Sequence, residues 1–357
     1  MKEDKSTADK LREEIELFAK MANVHDLPAI FHYWSETYLR PKIQSLGFDN
    51  IDDIYVKYIK KTYLSRDKQE CRILSVGAGN CDSEINLAQL LEKNDISNFK
   101  FTCLDINPNM LGRGSDLAVK AGLIDKFVFL ETDINSWVID NTYDDIIAIH
   151  SLHHFVELEV LFSKIKEALH PDGFFMAHDM IGRNGHMCWP ETLEYVNAFW
   201  SLLDDSHKYN NQLKRFEPSY VNWDCSKEGF EGIRSQDILP LLINIFGFDL
   251  FLAFNGFMSV FTDRSFGHNF DQNNQWDKTF IDFVAKLDDY YIENGKIKPT
   301  QMVAVMTKQR GEAIRTYKHL TPEFCLRLPD GIEAARLPGK TISERLGGII
   351  RRVFTKI

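Results

Sequence analysis

The chain has 357 residues, 44% of them hydrophobic and 26% charged, a composition that excludes a disordered chain and permits a large buried core. Its net charge of −10 argues against nucleic-acid binding over the whole surface, because such binding needs clustered cations. The charge is uneven: residues 308–357 hold 11 basic and 5 acidic side chains, a net of +6, and residues 1–307 hold 31 and 47, a net of −16.

The N-terminal part of the chain predicts surface helices and no targeting segment. An amphipathic helix is expected over 5–22, followed by aromatic-rich helical structure over 26–63. The first twenty residues are charged throughout and lack the apolar core of a signal peptide, and none of the six cysteines forms a CxxC pair. We therefore expect free thiols and a cytoplasmic protein.

Short apolar runs then alternate with helical segments, which predicts a doubly wound α/β fold with a mostly parallel sheet. The predicted strands are 72–76, 99–104, 126–130, 145–149 and 174–177, and later 248–254 and 301–306. The predicted helices are 82–93, 108–121, 156–169, 235–245 and 276–292. Residues 181–236 interrupt this alternation without clean periodicity.

The most informative segment joins the first strand to the first helix of this pattern. Gly77, Ala78 and Gly79 form a turn there, and glycines at such a turn let backbone N–H groups approach a ligand. Asp105 ends the second strand, where a carboxylate can accept hydrogen bonds from a ribose diol. Asp133 follows the third strand, where it can accept from an adenine amino group. These three signals at successive strand ends predict a site for an adenosine-type ligand.

The motifs distinguish two classes of adenosine-containing cofactor. The dinucleotide fingerprint needs a third glycine, and this chain has Asp82 at that position. The chain instead resembles the class I S-adenosylmethionine-dependent methyltransferases. The resemblance rests on Val-Gly-Ala-Gly at 76–79, Leu-Asp-Ile at 104–106, Thr-Asp-Ile at 132–134, His-Ser-Leu-His-His-Phe at 150–155 and Leu-His-Pro-Asp-Gly-Phe-Phe at 169–175. It implies a seven-stranded sheet that ends in a hairpin with the seventh strand antiparallel.

The resemblance also implies which residues bind S-adenosylmethionine. They are Gly77, Ala78, Gly79, Asp105, Ile106, Asp133, Ile134 and His150. Two positions depart from the family pattern: Ser75 replaces an acidic residue near the amino group of the cofactor's methionine, and Cys81 stands where glycine is frequent. We expect binding to survive, because Asp105, Asp133 and the backbone remain. A non-catalytic protein with the same fold, acting as a binding or scaffold protein, stays open as the alternative.

Methyl transfer from a sulfonium needs positioning and in some enzymes a base. The candidate catalytic residues follow the fourth and fifth strands, and they are His154, His153, His178 and Asp179. A histidine suits deprotonation of a hydroxyl, but Leu-His-His in this family also shapes the cofactor pocket without acting as a base. A His-x-x-His pair at 150–153 could bring two rings together, yet the motif needs no metal. We assign no metal.

Residues 181–236 predict a substrate lid, because a long loop rich in aromatic and polar residues is seldom disordered. A structural cap over the sheet edge is the alternative. The candidate acceptor contacts are Arg183, Trp223, Glu231 and Arg234. They suggest a small polar acceptor, such as a sugar or another hydroxyl-bearing metabolite.

These patterns divide the chain into a helical N-terminal extension over 1–66, a methyltransferase domain over 67–307 that includes the insert, and a basic extension over 308–357. An amphipathic helix over 342–357 is expected to contact the body or an oligomer partner, or else an anionic membrane surface. The expected partner is a small-molecule substrate and not a nucleic acid.

Overall fold

The structure is a computed structural model that describes residues 27–327, except residues 68, 140, 228, 310 and 312. The helices predicted at 5–22 and 342–357 lie outside the described residues. None of the helices within the described part of the chain combines the length and the apolar character needed to cross a membrane. All six cysteines are described, and each is a free thiol, as predicted.

A central eight-stranded sheet organises the molecule. In chain order the strands are β1 Cys71–Val76, β2 Phe99–Asp105, β3 Phe127–Glu131, β4 Tyr143–Ile149, β5 Leu169–Met180, β6 Tyr209–Asn210, β7 Arg215–Phe216, β8 Gly247–Phe254, β9 Gln301–Thr307 and β10 Arg315–Thr316. The sheet order is β10-β8-β9-β5-β4-β1-β2-β3, while β6 and β7 form a separate hairpin. Among the described strands of this sheet, only β9 runs antiparallel to both of its neighbours. The predicted doubly wound, mostly parallel fold with an antiparallel seventh strand is confirmed.

The sheet differs from the prediction in two places. An eighth strand, β10, pairs in parallel with β8 at the sheet edge, and two residues are too short to show a strand period in the sequence. The fifth strand also starts earlier than predicted, because Leu169 pairs with Tyr143 before the register shifts at the next pairs. This irregularity absorbs the Pro-Asp-Gly segment that separates the two parts of the strand.

The helices flank the sheet in two groups. They are α1 Ala29–Trp34, α2 Arg40–Ser45, α3 Ile51–Ser65, α4 Asp82–Lys93, α5 Pro108–Ala121, α6 Leu158–Ala168, α7 Pro190–Trp200, α8 Ser235–Ile245, α9 Met258–Thr262, α10 Gln275–Glu293 and α11 Pro322–Cys325. Helix α4 contacts α3 and α5, and α6 contacts α8. These separate contacts are those expected for helices on the two faces of a doubly wound sheet.

Local sequence signals explain why the predicted helices begin and end where they do. The Asn107 side chain caps α5, Pro108 occupies its first position, and Gly122 ends it in the left-handed conformation. Helix α7 lies inside the insert that lacked clean periodicity. Its buried positions are Thr192, Val196, Phe199 and Trp200. The first of these is polar, so the apolar positions alone do not show the spacing of a helix.

The carboxyl ends of the parallel strands lie on one side of the sheet, and the loops that follow them carry the site. Strand β4 is buried over its first six residues, and β1 is buried at five of six. The residues that follow β1, β2, β4 and β5 therefore gather above a rigid core, where ligands bind in open α/β sheets.

Candidate active site

The turn after β1 is built around the carboxylate of Asp105. Gly79 N–H donates to this carboxylate at 2.8 Å, and Asn107 N–H donates to its other oxygen, also at 2.8 Å. Gly77 has φ +68°, and a Cβ there would lie 2.6 Å from the Cβ of Ser151, so this position needs glycine. Burial raises the pKa of Asp105, and the backbone N–H groups oppose this. The turn thus holds an oriented carboxylate where the sequence predicted a ribose ligand.

The residues predicted for the adenine side lie next to this turn. The backbone N–H of Thr132 donates to the carbonyl of Asp105 at 3.0 Å, which ties the loop after β3 to the end of β2. The Asp133 carboxylate accepts from the N–H of Asn135, and Ile134 is buried. Ile106 is half-buried beside Asp105. The adenine-side roles of these residues stay predictions.

Two histidines contact each other with tilted rings: His150 follows β4, and His178 lies within β5. The rings of His150 and His178 have centroids 4.1 Å apart, and His150 has φ +51°, an uncommon backbone conformation for this residue type. Burial and the neighbouring His150 hold the pKa of His178 well below its usual range. His178 is therefore neutral at physiological pH.

Asp179, a predicted catalytic residue, is fully buried beneath the turn that follows β4. One carboxylate oxygen accepts from the N–H groups of Ser151 and Leu152 at 2.8 and 2.7 Å, and the other contacts Nδ1 of His153 at 2.6 Å. Burial alone would raise the pKa of Asp179 and lower that of His153. Their mutual attraction reverses both directions, so the aspartate stays ionised. Asp179 therefore positions His153 and does not face the opening of the site.

Three histidines converge on the carboxylate of Glu231, which comes from the insert. We call His153, His154, His186 and Glu231 the histidine cluster. Nε2 of His186 lies 2.7 Å from the nearest Glu231 oxygen, Nε2 of His153 lies at 3.3 Å, and Nε2 of His154 lies at 3.5 Å. Burial would raise the pKa of Glu231, but the histidines hold it well below its usual range. The Glu231 side chain remains 43% exposed, so the cluster opens to solvent.

Backbone contacts hold the cluster together. The N–H of Gly185 donates to the carbonyl of Gly232 at 2.8 Å, and the N–H of Ile233 donates to the carbonyl of His153 at 3.1 Å. Gly185 has φ +66°, and a Cβ there would overlap the Asp224 carboxylate. The insert is thus fixed against the turn after β4, and this brings Glu231 over the predicted histidines.

The other predicted acceptor contacts have protein partners. The guanidinium of Arg183 donates to the carbonyl of Cys188 at 3.1 Å, and Trp223 lies beneath Arg215. Arg234 makes two hydrogen bonds to Glu159 and one to Asp237. As acceptor contacts, Arg183, Trp223 and Arg234 stay predictions.

Sequence reasoning missed three residues near the site. His186 completes the cluster, and its only signal was a Gly-His pair in the insert. Glu84 accepts a 2.6 Å hydrogen bond from Ser75, and burial raises the pKa of this glutamate to about 7. A carboxylate from α4 therefore lies beside the position where the family has an acid. The hydroxyl of Tyr55 is buried without a hydrogen-bond partner among the described residues, and the charges that raise its pKa include Asp179 and Glu84.

The sheet and the glycine turn define a doubly wound α/β domain with a ligand site at its strand ends. Residues 67–227, which are 161 of the 357 residues, match the family model described as a methyltransferase domain. The resemblance found in the motifs is confirmed, and the dinucleotide alternative is not supported.

Comparison with single proteins gives weaker similarities. The chain is 35% identical over 81 residues to a sterol 24-C-methyltransferase of Gibberella zeae, and this covers 22% of the chain and about a fifth (21%) of that relative. A polyketide-synthase O-methyltransferase of Brevibacillus brevis in complex with S-adenosyl-L-homocysteine shares 14% identity, with a TM-score of 0.39 over 75% of both chains. The N-methyltransferase NodS of Bradyrhizobium japonicum shares 14% identity, with a TM-score of 0.32 over 49% of this chain and 74% of the other.

Proposed function

We propose that the chain is an S-adenosylmethionine-dependent methyltransferase that acts on a hydroxyl group of a small polar acceptor. The observation that carries this proposal is the histidine cluster, which opens to solvent beside the cofactor turn. His154 lies within electrostatic reach of Asp105 and its Nε2 lies 3.5 Å from Glu231, so this ring connects the cofactor side with the cluster. A polar molecule held by the cluster would lie next to the cofactor.

The residues around the turn have the chemistry that the cofactor requires. Gly77 and Gly79 allow close approach of the backbone, and Asp105 presents an oriented carboxylate to a ribose diol. Ser75 and Glu84 supply a carboxylate near the place of the missing family acid. Bound S-adenosylmethionine supplies a methyl group on a sulfonium sulfur, which leaves with the electron pair of the broken carbon–sulfur bond.

The chain's own contribution is to position the acceptor and remove its proton. The acceptor hydroxyl donates its proton to Nε2 of His154, and the nearby Glu231 carboxylate stabilises the imidazolium that results. His178 stays neutral and adds no positive charge beside the sulfonium. The turn 151–154, held by Asp179, keeps His154 in place, so little reorganisation is needed for the transfer.

Hydroxyl-bearing metabolites, including sugars, are the acceptor class that this chemistry favours. The cluster is made of imidazole and carboxylate groups, which hydrogen-bond to hydroxyls and can accept their protons. The binding or scaffold alternative predicts the same cofactor affinity without transfer. One relative is a sterol 24-C-methyltransferase, and the short match to it supports the domain family and not a sterol acceptor.

Calorimetry and a transfer assay test the proposal. We expect micromolar binding of S-adenosylhomocysteine and no binding of NAD. Labelled methyl from S-adenosylmethionine should appear in a hydroxyl-bearing fraction of a metabolite extract. His154→Gln should lower this transfer by roughly a hundredfold and leave S-adenosylhomocysteine affinity within a few-fold. His268→Gln, which removes an exposed histidine outside the cluster, is the control. Lack of S-adenosylhomocysteine binding would refute the proposal, and binding without transfer to any fraction would favour the scaffold alternative.

A further inference from the structure

We infer that the histidine cluster is a binding site for one divalent transition-metal ion, held by His153, His186 and Glu231. The role of the ion in methyl transfer rests on the proposed function, whereas the site itself does not. The donor atoms of these three residues all lie within 4.8 Å of one another. The sequence alone did not predict a metal, and the pair that its motif suggested, His150 with His153, does not form this group, because the His150 ring packs against His178.

The separations between donor atoms are close to those of a metal site. Tetrahedral Zn²⁺ with bonds of about 2.0–2.1 Å places its ligand atoms about 3.4 Å apart. Nε2 of His153 lies 3.3 Å from a Glu231 oxygen, and Nε2 of His186 lies 2.7 Å from the same oxygen. Small side-chain movements would therefore let the three atoms surround one ion.

Asp179 supplies the outer contact that a metal-binding histidine usually has. Its carboxylate contacts Nδ1 of His153 at 2.6 Å, which fixes a proton on that nitrogen and turns Nε2 towards Glu231, where a metal ion would replace the Nε2 proton. Asp179 is itself held by two backbone N–H groups of the turn after β4. The ring is thus oriented before any ligand arrives.

Charge also favours a cation at this place. Two carboxylates, Asp179 and Glu231, lie on either side of His153, and the imidazoles can act as neutral ligands. A divalent ion balances these two charges. His207 offers a contrast within the same insert, because its two nitrogens contact Asp204 and Asp277 separately, at 2.7 and 2.9 Å. Those donors lie on opposite sides of one ring and cannot converge on an ion.

Two histidines and one carboxylate suit Zn²⁺ or Fe²⁺ and leave positions open for an exogenous ligand. An acceptor hydroxyl bound at such a position would be more acidic, because the ion stabilises the alkoxide. His154 lies 3.5 Å from the other Glu231 oxygen, close enough to receive the proton. The ion would then favour acceptors with a hydroxyl that can reach it.

The test measures metal binding directly on the full chain, purified without a histidine tag and stripped with a chelator. Titration with Zn²⁺ should give about one ion per chain with micromolar or tighter affinity. Co²⁺ should give the absorption of a site with nitrogen and oxygen ligands. We expect His186→Ala and Glu231→Gln each to weaken Zn²⁺ binding by at least about tenfold, and His268→Gln to leave it unchanged.

Melting curves without metal show whether each variant is folded, and Glu231→Gln preserves the shape of the side chain. A wild-type chain that binds no Zn²⁺ or Co²⁺, or folded variants that bind like the parent, would overturn the metal site. S-adenosylhomocysteine affinity is measured on the same samples. A wild-type chain that binds Zn²⁺ but not S-adenosylhomocysteine would overturn the proposed function alone. A wild-type chain that binds S-adenosylhomocysteine but not Zn²⁺ would overturn the metal site alone.

Discussion

Replacing Asp105 with alanine should weaken S-adenosylhomocysteine binding by about ten- to hundredfold. In the structure each carboxylate oxygen already accepts one backbone N–H, from Gly79 or Asn107, and each retains a lone pair for a ribose hydroxyl. Hydrogen bonds to a charged group contribute roughly 1.5–3 kcal/mol, which corresponds to this range of dissociation constants.

The same carboxylate also supports the turn, so the variant should lose some stability. Two half-buried N–H groups lose their acceptor in Asp105→Ala, and this costs about 1–3 kcal/mol in the free energy of unfolding. Asp105→Asn keeps one acceptor oxygen and the shape of the side chain. It should therefore lose less binding and less stability than the alanine variant.

Isothermal calorimetry with S-adenosylhomocysteine and urea denaturation measure the two effects separately. Asp125→Ala is the matched control, because the Asp125 side chain is 73% exposed and the residue precedes β3, at the amino ends of the parallel strands and away from the site. We expect that control to bind like the parent. If Asp105→Ala is folded and binds S-adenosylhomocysteine as tightly as the parent does, Asp105 does not contact the cofactor and the assignment of the turn is wrong.

Three further predictions concern stability. Arg234→Ala should lower the free energy of unfolding by about 1–2 kcal/mol in urea denaturation, because it removes partly exposed bonds to Glu159 and Asp237, and S-adenosylhomocysteine affinity should stay within twofold. Burial raises the pKa of Glu84 from 4.5 to about 7, so its protonated form stabilises the fold at low pH and this stabilisation is lost as the pH rises through 7. Glu84→Gln should remove about 2.5 kcal/mol of the change in unfolding free energy between pH 5 and 8. An unchanged pH dependence would contradict the assignment. Gly185→Ala should lower the melting temperature and weaken Zn²⁺ binding, because it strains a residue in the left-handed conformation against Asp224. Gly112→Ala, in the open interior of α5, is the control and should raise the melting temperature slightly. Equal changes in melting temperature for the two variants would show that the turn at Gly185 tolerates a side chain.

The sheet and the cofactor turn could be predicted because their signals are local. A pattern of about ten residues, a buried strand followed by Gly77-Ala78-Gly79, predicts the cofactor turn. Two residues, Asn107 and Pro108, predict the start of a helix. The pairing of β5 with β9 follows from the resemblance to the family and not from the strands themselves. The two-residue strand β10 was missed, because it is shorter than the period that identifies a strand.

The histidine cluster could not be predicted as a unit. His153 and Glu231 are 78 residues apart, and their contact depends on how the insert packs on the turn after β4. His186 lies in a left-handed conformation that the sequence signals only by the preceding glycine. Asp179 was predicted as catalytic from its place after a strand, and this stays a prediction; its burial and its backbone partners could not be predicted from the sequence.

The contacts of the insert indicate how it builds the site. Arg234 ties the segment after Glu231 to Glu159 on α6, and the Gly185–Gly232 hydrogen bond ties the same segment to the turn that carries His186. Glu231 is thus held in place while its own side chain stays partly exposed. The other predicted acceptor residues contact protein groups, so the insert contributes to the site chiefly by supplying Glu231 and His186 to the two histidines that follow β4. A substrate lid and a structural cap are therefore not exclusive here, because the contacts that fix the insert on the body of the protein are the ones that place Glu231.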